Sequence, residues 1–353
     1  TGLIIFNFNF NNMEYTRRRL LAATAGVAGL GATAGCSGGS GQSNAAAVQS
    51  SFFVFGDIAE NVAGDSATTD LLVPIGQHGH GWEPGPRVRE AIYDASLFVH
   101  GMDGFQPWAD DIVADLEADG AEVTPVDVSA DVSLLEFGAA DDHDSHDAHE
   151  TESHDGEHHE DDSHDEHEDD DHAHGSMDPH FWMDPTRVAT AADTVRAALA
   201  DLDGENADSY ADNTAAYQSR LADLDERIES RLADASKGTL LVAGHDAFGY
   251  LRERYGITVE ALTGASPDDE PTLNDRERAR SVIQEHGLTY VCADPLESQT
   301  MAEELVAETD AEEVLPLTAM PGLSESWRES DWGYVDVMEQ VNLPTLTRAL
   351  EAR

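Results

Sequence analysis

The sequence predicts an α/β protein of two lobes, each a mainly parallel sheet flanked by helices, joined by one long linker helix. Three observations carry this. Short apolar, strand-like runs alternate with helical stretches from Ser51 to Val128, and the same alternation resumes from Thr239 to Leu350. Between the two series, Glu205 to Ala235 keeps one helical period, with Tyr210, Tyr217, Leu221, Leu224, Ile228 and Leu232 at spacings of three, four or seven. Hydrophobic residues make up 40% of the 353, enough to build real cores once the polar segments are set aside.

Taken in order, Ser51 to Phe55 is β-branched and aromatic and reads as a strand, followed by a helix from Asp57 to Ala63. Leu71 to Pro74 reads as a second strand, Arg87 to Ala95 as a helix and Leu97 to Val99 as a buried strand. Trp108 to Asp119 is an amphipathic helix stopped by Gly120, and Glu122 to Val128 is a strand. Thr186 to Leu202 is helical. The second series gives strands at Thr239–Ala243, Ile257–Ala261, Tyr290–Ala293 and Val314–Leu317. Helices are expected at Asn274–His286 and Ser298–Thr309, with a closing helix from Trp332 to Leu350 broken near Pro344.

The domain plan follows. Residues 1–36 hold an upstream stretch before Met13 and then a leader. Thr16-Arg17-Arg18-Arg19-Leu20-Leu21 resembles a twin-arginine export signal, and Thr33-Ala34-Gly35-Cys36 resembles a lipobox that would make Cys36 a lipid anchor. Residues 37–50 are small and polar and read as a tether. The amino-terminal lobe is expected over 51–204, the linker helix over 205–236 and the carboxyl-terminal lobe over 237–353. Only Cys292 remains beyond the lipobox, so an intrachain disulfide in the mature chain is excluded.

The net charge is −52, and Lys237 is the only lysine. A surface this acidic suits a solvent of high ionic strength, where self-repulsion is screened within a few ångströms, and it implies a halophilic, haloarchaeal source. The same charge excludes nucleic acid as a partner. Acidity peaks between Asp141 and His174, a run with 17 carboxylates, ten histidines and no cation. Such a run cannot bury apolar surface, so residues 139–176 are expected to form a disordered loop. Its histidines, His143, His146, His149, His154, His158, His159, His164, His167, His172 and His174, are neutral near pH 7 and suited to collecting metal loosely.

Six histidines lie outside the run. Three of them, His80 (H-G-W-E-P), His180 (D-P-H-F-W-M-D-P) and His245 (V-A-G-H-D-A-F-G-Y), sit in loops beside Gly or Pro, next to a predicted strand or helix start. Loops at the carboxyl ends of strands are where open α/β sheets bind ligands, and three imidazoles converging there would suit a borderline ion such as Zn2+. Taken singly, each could equally be a loop histidine satisfied by hydrogen bonds. Glu83, Asp184 and Asp246 are candidates to orient these imidazoles, and Asp184 and Asp246 equally suit helix caps. His100 and Cys292 read as structural.

These motifs, in this order, resemble the zinc/manganese solute-binding proteins of ABC transporters, over nearly the whole stretch from Phe52 to Leu350. L-L-V-P-I-G-Q-H-G-H-G-W-E-P looks like that family's first ligand loop with His80 as ligand. D-P-H-F-W-M-D-P looks like the second, with His180, and V-A-G-H-D-A-F-G-Y-L-R-E-R-Y-G-I the third, with His245. A His-rich acidic insertion before the second motif is typical of zinc-associated members. One departure stands out: where many relatives place a carboxylate ligand after the last strand, this chain has L-P-L-T-A-M-P-G-L around Thr318, with no acid before Glu325 and with Glu325 and Asp331 as weak candidates. The resemblance implies a monomer anchored outside the membrane that captures Zn2+, or alternatively Mn2+, between its lobes. It would deliver the ion to an ABC permease and its ATPase without a chemical step. Two other readings stay open on the residues alone: a zinc hydrolase, and a metal buffer using only the acidic run.

Overall fold

The structure, a computed structural model, describes residues 46–79, 82–137, 177–264 and 269–352. The amino-terminal sheet consists of β1 (Ala46–Ser50), β2 (Ala67–Leu71), β3 (Leu97–His100) and β4 (Thr124–Asp127), all parallel, in the order β2-β1-β3-β4. The second sheet, β5 (Thr239–Val242), β6 (Thr258–Ala261), β7 (Tyr290–Ala293) and β8 (Glu313–Pro316), repeats that order as β6-β5-β7-β8. Every residue of β3 and of β5 is buried, as parallel strands covered by helices on both faces require. The order reverses between β1 and β3 and again between β5 and β7, which opens a crevice at the carboxyl ends of those strands.

Helices α1 (Phe53–Ala63), α2 (Pro86–Tyr93) and α3 (Pro107–Asp119) belong to the first lobe. The chain then passes through α4 (Pro185–Leu202) and α5 (Ala207–Leu232) into the second. There α6 (Gly249–Tyr255), α7 (Leu273–His286) and α8 (Thr300–Glu308) alternate with strands, and α9 (Glu325–Glu329), α10 (Tyr334–Val337) and α11 (Leu343–Ala349) close the chain. The 26 residues of α5 reach about 39 Å at ~1.5 Å each. All six apolar residues that define its period are buried. Its stripe packs along α4 and against α1, and it also meets α10 and α11. Asp225 on α5 accepts from Arg254 Nε at 2.9 Å and from Tyr255 hydroxyl at 3.0 Å, which fastens the helix to α6 as well.

Four expectations need correction. The tether does not extend to residue 50, because Ala46–Ser50 is β1, paired with β2 on one side and β3 on the other. A-A-V-Q-S lacks strand-forming character, but a central position decides where propensity does not. The F-F-V-F run read as a strand instead enters α1, whose Phe53, Val54, Phe55, Ile58, Ala59 and Val62 are all buried; a short apolar run cannot tell a buried helix from a strand. The second strand ends at Leu71 rather than starting there. The closing helix is three pieces, α10, a π-helical turn over Met338–Asn342 and α11, preceded by the separate short helix α9. Pro344 sits in the first turn of α11, directly after the π-helical turn. The leader with Cys36, and the acidic run with its ten histidines, lie outside the described residues. No helix among the described residues is long and apolar enough to cross a membrane.

One carboxylate joins α1, α5 and α10. Asp57 accepts from the Tyr217 hydroxyl at 2.9 Å, and a Cβ on Gly333 would stand 2.1 Å from its Oδ1, so a side chain there would displace the carboxylate. Burial pushes the Asp57 carboxyl from 3.8 up to about 6, against the opposing bond from Tyr217. The folded protein therefore holds this proton more tightly than the unfolded chain. Its stabilising contribution is complete below about pH 3.8 and is lost as pH rises through about 6. The stability of Asp57→Asn relative to wild type should accordingly rise between pH 4 and pH 7.5, by roughly 2–3 kcal/mol in denaturant unfolding; a pH-independent difference would contradict this.

Candidate metal site

Three loops carry the side chains that meet at the mouth between the lobes. His78 follows β2, His245 follows β5 and Glu297 follows β7. The fourth group, His180, precedes a 3-10 turn, Phe181–Met183, that leads into α4. His245 and Glu297 thus leave the two central strands at the reversal point of the second sheet, where a ligand crevice is expected.

His180 is 1% exposed. Its Nδ1 lies 2.8 Å from Asp178 Oδ1, which also accepts the His180 backbone N–H at 2.9 Å. With the carboxylate accepting from Nδ1–H, the lone pair is carried on Nε2, the tautomer a metal ligand needs. Burial lowers the His180 pKa despite the opposing effect of Asp178, so the ring is neutral at pH 7. Its ring centroid is 5.5 Å from that of His245, and His245 is 6.2 Å from His78. A tetrahedral zinc with Zn–N of about 2.0–2.1 Å places two imidazole centroids about 5 Å apart. His180 and His245 therefore stand near the spacing one ion bridges, and His78 stands wider.

Glu297 links the other two. Its Oε1 is 3.3 Å from His78 Nε2 and 3.5 Å from His245 Nδ1. Burial alone would push the Glu297 carboxyl up, but the bonds from His245 and His78 outweigh it and hold the group at about 2. This carboxylate is the candidate residue that sequence reasoning passed over, since Pro295-Leu296-Glu297 reads as the approach to a helix. Its signal was its place: an acid in the loop at the carboxyl end of a central strand.

Around His78, His245 and Glu297 lies an acidic cleft of about 950 Å3, lined by Trp82, Glu83, Asp269, Glu270, Arg276 and Glu304 among others. Among the described residues, no three or more His, Cys, Asp or Glu side chains are gathered closely enough to hold a metal ion as they stand.

The sequence-predicted residues divide as follows. His180 and His245 are brought together; His80 lies outside the described residues, two positions beyond His78. None of the three candidate orienting carboxylates is placed on an imidazole. Asp184 caps α4 by accepting from Thr186 N at 2.8 Å and pairs with Arg187 at 2.8 Å. Asp246 pairs with Arg252 through both oxygens, at 2.8 and 2.9 Å, and Glu83 is exposed at the cleft. The Asp184 and Asp246 side chains satisfy a nearby helix end or arginine first, and Asp178 takes the role at His180. Glu325 begins α9 as an exposed residue, and Asp331 is exposed too. His100 is buried, bonded to Gly101 O at 2.7 Å and stacked on Phe98. Burial pushes the Cys292 thiol up to about 12.

Comparison with known proteins gives the family and the fold. The family profile described as zinc-uptake complex component A, periplasmic, matches residues 48–349. The high-affinity zinc uptake system protein ZnuA of Bacillus subtilis is 28% identical over 303 residues, covering 86% of this chain and 87% of the relative. The zinc-binding lipoprotein AdcA of Streptococcus pneumoniae is 26% identical over 304 residues, which is 86% of this chain but only 56% of AdcA. Among solved structures, the Zn(II)-bound ZnuA-like domain of S. pneumoniae AdcA superposes with a TM-score of 0.67 at 23% identity, covering 87% of this chain and 99% of that domain.

The Asp178 contact makes a prediction of its own. Asp178→Ala should weaken binding of a divalent ion such as Zn2+ by about 10- to 100-fold, while Asp178→Asn, which keeps an acceptor for Nδ1–H, should lose much less. Equal losses in a competition titration would show that Asp178 does not set the tautomer.

Proposed function

This chain belongs to the zinc-uptake complex component A family, and we propose on that premise that it captures Zn2+ in the cleft between its lobes and delivers it to an ABC permease driven by its ATPase. The observation that carries this reading is the pairing of His180 and His245 at 5.5 Å beside the Glu297 carboxylate. Imidazole nitrogens with one carboxylate oxygen suit a borderline ion better than Mn2+, which favours an oxygen-rich set. His180, His245 and Glu297 would hold the ion, with the first-loop position filled by His80 as the sequence implies or by His78. Glu297 takes the place of the carboxylate that is missing around Thr318.

Binding and release suffice for this role, and we assign no chemical step. Three histidines and a water could also activate a nucleophile, but the carboxylate at the site is engaged by His78 and His245 rather than placed as a free base. Anchoring through a lipid on Cys36, after export by the twin-arginine signal, would keep the protein at the outer membrane face beside its permease; relatives that are lipoproteins support this. The ten histidines between Asp141 and His174 would raise the local zinc concentration without forming the tight site.

Calorimetric titration of the full chain at high salt should find one tight zinc site. His180→Ala, His245→Ala and Glu297→Gln should each weaken it, the histidine variants by 100-fold or more and Glu297→Gln by about 10- to 100-fold. Removing residues 141–174 should leave that site in place. Tight binding that survives His180→Ala and vanishes with the acidic run would overturn the assignment.

A further inference from the structure

The loop after β8 holds no acid at the site, yet it is pinned at several points. Thr318 is wholly buried, and the Asn342 side chain pairs with it as a strand would: Thr318 N–H donates to Asn342 Oδ1 at 2.9 Å and Asn342 Nδ2 donates to Thr318 O at 2.9 Å. The π-helical turn of Met338–Asn342 is what delivers that amide. Met320 is wholly buried with φ of +57°, a left-handed conformation for a non-glycine residue, and its N–H donates to Thr318 Oγ1 at 2.8 Å. Strained backbone of this kind persists only where its surroundings over-determine it, and it clusters at functional sites.

Both of the neighbouring ligand loops hang from this segment. Gly76 N–H donates to Leu323 O at 2.8 Å and Gly79 N–H donates to Pro321 O at 2.7 Å, so the His78 loop of the first lobe is laddered onto the second lobe. Gly79 O is fixed in turn by Gln106 Nε2 at 3.1 Å. On the other side, Asp294 Oδ2 accepts from Ala319 N–H at 3.1 Å while its Oδ1 accepts from Leu296 N–H at 2.9 Å, next to Glu297. The closest approach is at Gly322, where a Cβ would stand 2.2 Å from the backbone oxygen of Gln77. A backbone oxygen cannot swing aside as a side chain can, so any residue but glycine at 322 moves the His78 loop.

We infer that the segment Leu317–Leu323 is a positioning splint: Gly322 and the strained turn at Met320 set the place of the His78 loop relative to Glu297 and thereby the affinity for the captured ion. The inference rests on the metal-capture reading of the site. Among the described residues, Gly322 touches no ligand side chain; it acts through the Gln77–His78 backbone.

The test uses the full chain at high salt and Zn2+ in competition with a chromophoric chelator. Gly322→Ala should bind zinc about 10- to 100-fold more weakly, with altered ligand-field bands when Co2+ replaces Zn2+. Gly120→Ala is the control: Gly120 also has a positive φ, +62°, but faces open space far along the chain in the first lobe. It should lower the unfolding midpoint of the zinc-free protein while leaving zinc affinity and the Co2+ spectrum unchanged. Thr318→Val, which keeps the shape and removes the acceptor for Met320 N–H, should weaken zinc about fivefold and decides the matter if Gly322→Ala does not fold. Wild-type affinity and an unaltered Co2+ spectrum in folded Gly322→Ala, or wild-type affinity in Thr318→Val, would overturn the splint while leaving zinc capture standing. A wild-type chain that takes up no zinc would overturn the functional reading and the splint with it.

Discussion

From Asp178 to Asp184 the chain runs almost wholly buried between the two lobes, and a buried segment must satisfy its backbone polar groups. It does so with side chains from the second lobe. The Asp178 carbonyl accepts from the Tyr250 hydroxyl at 2.5 Å, and the same hydroxyl accepts from Leu135 N–H at 2.9 Å. The Trp182 carbonyl accepts from the Tyr334 hydroxyl at 2.6 Å, while its indole N–H donates to Ala319 O at 2.8 Å. The bonds to the Asp178 and Trp182 carbonyls and from the indole are made away from water, where an unmade partner costs about 1–3 kcal/mol. This buried turn is why His180, carried by the first half of the chain, arrives beside His245, carried by the second.

The same constraint shapes what the lobes can do. Phe52, Phe55, Phe105 and Phe181 pack around Trp182, so the turn is locked by aromatic contacts as well as by hydrogen bonds. Arg187 lies 4.7 Å over the Tyr250 ring and pairs with Glu253, which adds a further bridge between α4 and α6. With α5 fastened to helices of both lobes, wide opening would break many bonds at once. Capture of an ion is better served by small shifts of the His78 and Glu297 loops, a travel of the size that separates the present ring spacings from those of a coordinated ion. Acidity then has a local use besides solubility: the cleft mouth, with Glu83, Asp269, Glu270 and Glu304, presents a negative field to an approaching cation.

How much of this was legible in the sequence varies by element. The parallel α/β plan was plain because β3, β5 and β7 are apolar runs and α5 keeps its period over its full length. β1 was hidden because Ala46–Ser50 carries no propensity and gains its stability only from lying between β2 and β3. His180 and His245 stood out as candidates from their Gly- and Pro-flanked loops, and the fold sets their rings 5.5 Å apart. Glu297 could not be singled out, since an acid in a chain with 71 of them draws no notice until β7 fixes where it points. Asp178 was overlooked for a similar reason. In the D-P-H motif it looks like a turn residue, and only the fold shows that both its backbone-facing and ring-facing bonds end on one histidine.

The central claim is that zinc is held where the buried turn and the second sheet's reversal point meet. A zinc-loaded crystal of the full chain, with anomalous scattering recorded on both sides of the zinc edge, tests it most directly. One strong anomalous peak is expected within about 2.0–2.2 Å of His180 Nε2, a His245 ring nitrogen and a Glu297 oxygen. A principal peak elsewhere, or one lacking both His180 and His245 in its shell, would contradict it.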